Sequence, residues 1–264
     1  MSHVTEDQIR QNVRNRYKAA IQEVNSAGGC CSTEASCCAS ADAVSSKLGY
    51  SAAELSAVPE GANLGLGCGN PQAIADLKPG NVVLDLGSGG GFDCFLASRQ
   101  VGETGHVIGV DMTPEMISKA RANGTKGGFS NTEFRLGEIE YLPVSDQSVD
   151  VVISNCVVNL SPNKPQVFKD TFRVLKPGGR IAISDVVLST ELPTEIKNDL
   201  DALYSGCISG ASSIEDLKQM LLDSGFSNIT IEPKDESKDF IKDWVPGTSM
   251  ENYIVSAVIK AVRP

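Results

Sequence analysis

Two sets of residues in this chain have the types and spacing that chemistry asks for. The first is Asp85-x-Gly87-x-Gly89-x-Gly91 with Asp111 beyond it, 111 − 91 = 20 residues past the last glycine. Glycines carry no Cβ, so the backbone there can turn tightly and come close to a ligand, and an acid about 20 residues on is placed to grip ribose hydroxyls. A dinucleotide fingerprint would need glycine where Phe92 stands, which weakens that reading. An acid beside the glycines suits a ligand that carries an ammonium group, whereas a pyrophosphate asks only for N–H donors. The second set is sulfur. Of eight cysteines, Cys68, Cys156 and Cys207 are isolated in Gly-, Asn- or Ser-rich stretches, Cys30-Cys31 and Cys37-Cys38 are vicinal pairs, and Cys94 lies in a helical pattern. Three thiolates from distant segments suit a soft, three-coordinate centre, because sulfur selects soft ions. For the vicinal pairs, zinc ranks below a redox or soft-metalloid role, since a zinc site would more often show Cys-x-x-Cys pairs or histidine partners.

The elements that position these groups read as an α/β alternation. Val82–Leu86 is an apolar run flanked by Pro79-Gly80 and the glycines, which predicts a strand buried on both faces with a helix from Phe92. His106–Asp111, Thr132–Leu136, Val149–Asn155 and Arg180–Val187 predict four further strands. In a parallel sheet their carboxyl ends share one edge, so Cys156 should emerge beside the glycine turn. Thr113-Pro114-Glu115 starts a helix, and Phe168–Leu175 is a helix stopped by Lys176-Pro177-Gly178-Gly179. Helical spacing over Thr5–Val24 predicts an amphipathic helix packed on the core, with Thr5 as its N-cap. Helices over Thr194–Leu203 and Ile214–Ser224 and a strand over Tyr253–Val262 follow, while Lys234–Lys242 reads as a solvated charge run. Cys68, set between two glycines, should have a reachable thiol, and Cys94 reads as a packing residue.

Composition excludes other classes. The formal net charge of −10 and the lack of a Lys/Arg cluster argue against a nucleic-acid partner. No apolar run has the length of a membrane span and the N-terminus lacks a signal core, which places the expected protein in the cytoplasm. Only two histidines are present: His3 lies in the terminus and His106 opens a strand at the far edge. Chemistry without a histidine base counts against a Ser-His-Asp hydrolase and suits a nucleophile with no proton to lose.

The Asp-x-Gly-x-Gly-x-Gly stretch resembles the first motif of the class I S-adenosylmethionine-dependent methyltransferases. Together with Gly67-Cys68-Gly69, Ser154-Asn155-Cys156-Val157-Val158-Asn159-Leu160 and Gly206-Cys207, it makes the chain similar to the microbial arsenite S-adenosylmethionine methyltransferases. That resemblance implies a Rossmann-like, mostly parallel sheet with helices on both faces. It divides the chain into an N-terminal helix and cysteine-rich segment over 1–61, a donor-binding core over 62–189 and an arsenic-binding C-terminal lobe over 190–264. It implies S-adenosylmethionine as methyl donor, with Asp85, Gly87, Ser88, Gly89, Asp111, Met112 and Asn155 as contacts and Glu138 and Ile139 at the adenine. Cys68, Cys156 and Cys207 become the arsenic ligands for arsenite and methylated arsenicals, and trivalent arsenic keeps a lone pair to attack the methyl group. One of Cys30, Cys31, Cys37 or Cys38 then forms a relay disulfide with Cys68, reduced by glutathione, another small thiol or thioredoxin. Leu66 stands where many family members have an aromatic residue, which leaves Tyr17 to cover the donor. The rival readings are a methyltransferase of an organic small molecule and an arsenite-sequestering protein without turnover.

Overall fold

A computed structural model describes residues 5–26, 40–190, 208, 210–244 and 249–264. Cys30, Cys31, Cys37, Cys38, Cys207 and the expected helix over 194–203 lie outside the described residues. The first five strands are β1 (Val82–Leu86), β2 (His106–Asp111), β3 (Thr132–Leu136), β4 (Val149–Asn155) and β5 (Leu175–Leu188). They pair in parallel, and β6 (Ser227–Lys234) and β7 (Ile254–Val262) complete one seven-stranded sheet in the order β3-β2-β1-β4-β5-β7-β6. β7 is antiparallel to both neighbours.

Period-two alternation divides the core between the two faces of the sheet. Leu84 and Leu86 join one apolar cluster with Ile108, Val110 and Phe168, and Val83 joins another with Val107, Phe95 and Ile153. Each fully buried large side chain contributes about 1.5–3 kcal/mol, so the strand carrying the glycine turn is fixed by its own burial. Asp85 shares its face with Val83 and therefore points toward the helices of that layer.

The helices are α1 (Glu6–Ser26), α2 (Ala41–Lys47), α3 (Ala52–Ser56), α4 (Gln72–Ala75), α5 (Phe92–Val101), α6 (Pro114–Gly127), α7 (Lys164–Val174), α8 (Ile214–Asp223) and α9 (Lys238–Ile241). Thr5 caps α1 as expected: its hydroxyl accepts from the Gln8 N–H at 3.3 Å and the Gln8 side chain accepts from the Thr5 N–H at 2.8 Å. Thr113 occupies the N-cap position of α6, but its side chain makes no capping bond.

Several expectations need correcting. The 190–264 segment is not wholly a lobe beside the core, because β6 and β7 extend the central sheet, and β7 pairs with β5 from Arg180–Val262 to Leu188–Ile254. β6 escaped the sequence reading because it is an edge strand interrupted by Pro233, where hydropathy alternates over few residues. α7 begins at Lys164 instead of Phe168, since Asn163 accepts from the Gln166 N–H and starts it a turn earlier. The Pro-Gly-Gly turn is absorbed into β5, where the Gly178 N–H donates to Arg263 and the Arg263 N–H to Gly179. The charged run over 234–242 forms short helical turns that bury Ser237 and Ile241. Among the described residues no helix is long and apolar enough to cross a membrane.

Where β1 ends, Gly87 has φ +72°, and a Cβ built on it would lie 2.5 Å from Val157 Cγ2. Gly87→Ala should therefore lower stability by about 1–3 kcal/mol in urea unfolding, and adding Val157→Ala should recover the contact part but not the backbone part. Unchanged stability in Gly87→Ala would contradict this packing.

Candidate functional site

The parallel strands deliver their carboxyl ends to one edge, where a cavity of about 620 Å³ opens. Asp85, Gly87, Ser88 and Gly89 form one wall, Asp111, Met112 and Ile139 a second, and Asn155 with Cys156 a third. Eight of the nine expected donor contacts thus face one space. Glu138 does not line it: Arg14 Nη2 lies 2.6 Å and Arg10 Nε 3.4 Å from its carboxylate, and Glu140 lines the cavity nearby. Opposite charges on α1, 124 positions earlier in the chain, draw Glu138 away. The helix is thereby more than a packing element, because its Tyr17 lines the cavity as well. Leu66 also lines it while remaining exposed.

Buried acids dominate the electrostatics of this wall. Burial, with Asp93 next in effect, holds the Asp85 carboxyl well above the usual carboxylate range, and Cys94 Sγ donates to it at 3.2 Å. Cys94 is thus a packing residue that also bonds an acid, and burial pushes its thiol up. Burial raises Asp93 to about 6 against the opposing pull of the Tyr50 hydroxyl, which donates at 2.7 Å. Among the described residues no basic side chain pairs with either acid. Asp111 accepts from the Gly89 N–H at 3.0 Å and the Thr113 N–H at 2.8 Å, and burial raises its carboxyl. Ser88 Oγ is buried without a hydrogen-bond partner. Two acids without a cation, a buried hydroxyl without a partner and a glycine cradle fit a ligand bearing an ammonium group and hydroxyls.

The sulfur site adjoins this wall. Cys68 is 1% exposed, which corrects the expectation of a reachable thiol. Its flanking glycines let neighbours close in: a Cβ on Gly67, whose φ is +130°, would stand 2.7 Å from Asn155 Nδ2. The Cys68 N–H donates to Asn155 Oδ1 at 3.0 Å, and its carbonyl accepts from Ser256 Oγ at 2.7 Å. Cys156 sits just past β4 at φ +58°, a conformation that costs a non-glycine residue about 1–2 kcal/mol and turns its side chain out of the strand direction. Its N–H donates to the Ser184 carbonyl at 2.8 Å. A carboxylate oxygen of Asp185 completes the group, so that ligand atoms of Cys68, Cys156 and Asp185 all lie within 4.8 Å of one another.

Sequence reading missed Asp185. The rule that placed Cys156 at the β4 end places an acid at the corresponding end of β5, and that signal went unused. Asp185 accepts from Asn159 Nδ2 and the Val186 N–H, each at 2.8 Å, while burial raises it to about 6. Val186, Leu160, Ala211 and Trp244 wall the cysteines with apolar surface.

Burial makes ionising Asp93 more costly in the folded chain than in the unfolded one. Stability from this group is therefore full below its ordinary 3.8 and is lost as pH rises through about 6. Asp93→Asn, which keeps an oxygen for Tyr50, should gain stability relative to the parent as pH rises across that window, read as unfolding midpoints by circular dichroism; parallel pH profiles would refute it. Ser256→Ala frees the Cys68 carbonyl, and one hydrogen bond is worth about 0.5–1.5 kcal/mol, so stability in urea unfolding should fall by about that amount, and an unchanged midpoint would refute the pinning of this loop.

Comparison with known proteins places this arrangement. A family model described as a methyltransferase domain matches residues 77–225. The arsenite methyltransferase of Halobacterium salinarum is 53% identical, over 98% of this chain and 67% of that protein. The human arsenite methyltransferase is 43% identical over 54% of this chain and 40% of its own length. The chain thus spans two thirds of the archaeal relative and less than half of the human one. CrArsM, an arsenic (III) S-adenosylmethionine methyltransferase from Chlamydomonas reinhardtii, superposes with a TM-score of 0.63 at 32% identity, covering 84% of this chain and 73% of that one. With a methyltransferase edge that ends in two converging cysteines, and with identity of this extent, the chain belongs to the arsenite methyltransferase family.

Proposed function

We propose that the protein transfers a methyl group from S-adenosylmethionine to trivalent arsenic held by the thiolates of Cys68, Cys156 and Cys207. One observation carries this reading: two cysteines 88 positions apart converge in a buried cluster, and Cys156 also faces the cavity that Asp85, Ser88 and Asp111 line. Bound there, S-adenosylmethionine supplies an electrophilic methyl group on a sulfonium centre. Asp85 and Asp93 would hold the ammonium group of such a donor and Asp111 its ribose hydroxyls, the roles for which their burial and hydrogen bonds suit them. Arsenic with three sulfur ligands is pyramidal and keeps a lone pair, so no proton has to leave the nucleophile. The protein's contribution is then to fix the lone pair against the methyl carbon and to exclude water. Trp244, Leu160 and Val186 provide the water-poor wall.

Methyl transfer formally oxidises arsenic by two electrons, which a pair of thiols can return as they form a disulfide. We assign that part to Cys68 with one of Cys30, Cys31, Cys37 or Cys38, and the reduction of the disulfide to glutathione, a similar small thiol or thioredoxin. Such a cycle requires a reducing compartment, which supports a cytoplasmic location.

Purified protein incubated with arsenite, a thiol and labelled donor should yield methylated arsenic by chromatographic speciation. Cys156→Ser should reduce the product to background. Arsenite binding without product would favour a sequestering protein, and donor turnover on an organic acceptor that survives Cys156→Ser with Cys207→Ser would overturn the arsenic reading.

A further inference from the structure

We propose that Cys68, Cys156 and Asp185 form a binding site for one thiophilic divalent cation, Zn2+ or Cd2+, which competes with arsenite for the two shared cysteines. One ligand atom from each residue already lies within 4.8 Å of the other two. Around a tetrahedral zinc ion with sulfur at about 2.3 Å and oxygen at about 2.0–2.2 Å, such atoms stand about 3.5–4 Å apart. The remaining gap is at most about 1.3 Å, which side-chain rotation is of the size to close.

The backbones that carry the three donors are pinned. Asn155 and Ser256 hold Cys68 from both sides, and Ser184 accepts from the Cys156 N–H. Asp185 Oδ1 accepts from Asn159 Nδ2 and the Val186 N–H, Oδ2 accepts from the Asn159 N–H at a longer 3.3 Å, and the Val158 N–H and the Lys164 ammonium also act on the carboxylate. Oδ2 retains acceptor capacity for a cation, and the Asn159 amide serves as the outer partner that orients the ligating carboxylate.

Charge and donor type agree on the ion. Two thiolates and a carboxylate in a buried cluster bring three negative charges together, of which a dication offsets two with the Lys164 ammonium acting on the carboxylate, and the two protons released by the thiols go to solvent. A set of two sulfurs and one oxygen suits borderline-soft Zn2+ and Cd2+ and is a poor match for hard Mg2+ or Ca2+. Cys156 lines the cavity, which gives the ion an entry path. The cation site requires only described side chains and does not need Cys207, while its competition with arsenite rests on the proposed arsenic ligands.

The test uses the reduced full chain with Ser at positions 30, 31, 37 and 38, which removes the vicinal thiols as competing ligands. Cd2+ alone is titrated and its thiolate charge-transfer absorption is followed, with no methyl donor present. One equivalent should bind, survive Cys207→Ser, and be lost when Cys68→Ser and Cys156→Ser are combined. Asp185→Asn should weaken binding at least about tenfold, the loss that removing even an outer partner can cause. Asp185→Glu, with its carboxylate displaced by a methylene, gives a second reading if the amide variant fails to fold. Arsenite should displace the ion in proportion to its concentration. Full affinity in Asp185→Asn or Asp185→Glu, loss of binding in Cys207→Ser alone, or retention in the double serine variant would each overturn the proposal. Failure of arsenic methylation would leave this result untouched.

Discussion

The site depends on the side-chain amide of Asn155. Its Oδ1 accepts from the Cys68 N–H, and its Nδ2 donates to the Gly69 carbonyl at 2.8 Å and the Tyr50 hydroxyl at 3.1 Å. The orientation of the amide is forced, because a backbone N–H can only donate and a carbonyl can only accept. Reversing it would leave two mismatched polar groups in a partly buried place, at about 1–3 kcal/mol each. This one side chain, at the last position of β4, ties the Gly-Cys-Gly loop to the strand that delivers Cys156. Through Tyr50 and Asp93 it also reaches the acids at the glycine turn. The glycine-turn side and the sulfur side therefore share a single polar network.

That network is held where water is scarce, which explains the behaviour of the acids around it. Asp85, Asp93 and Asp185 are all raised, and burial is the first cause in each case. A fold selected for stability alone would replace such groups with apolar ones. Their presence at one sheet edge fits the proposed site, which would receive an ammonium group on one side and a thiophilic centre on the other. The strained backbone of Cys156 belongs to the same pattern, since the surrounding strands over-determine a conformation that a free chain would avoid.

Over this edge lies α1, held by Arg10 and Arg14 on Glu138, Arg10 on Glu140, and Lys18 on Glu115 at 2.7 Å. The exposed pairs contribute at most about 1 kcal/mol each, and desolvation offsets much of the attraction in the buried Arg10–Glu140 pair, so the buried Val13 and Ile21 carry much of the docking. Glu140 links this cover to the loop after β4, because it also accepts from Ser161 Oγ at 2.7 Å. The cover of the cavity and its floor are consequently one connected structure.

How much of this was legible in advance differs by kind of residue. The strands β1 to β4, the glycine turn and the acids Asp85 and Asp111 could be read directly, because apolar runs and glycine spacing are local and the edge rule for parallel sheets converts strand order into position. The same rule carried Cys156 to the right place. It did not reveal that Cys68 is buried, that Asp185 faces both cysteines or that Glu138 is taken by α1. Each of those depends on a partner between 29 and 188 positions away, such as Ser256 for Cys68, and no local pattern records such a partner. The chain's order of residue types thus determined the chemistry on offer and the edge at which it appears. Side-chain packing across the sheet alone decided which groups meet, because burial and hydrogen-bond pairing are properties of the assembled interior.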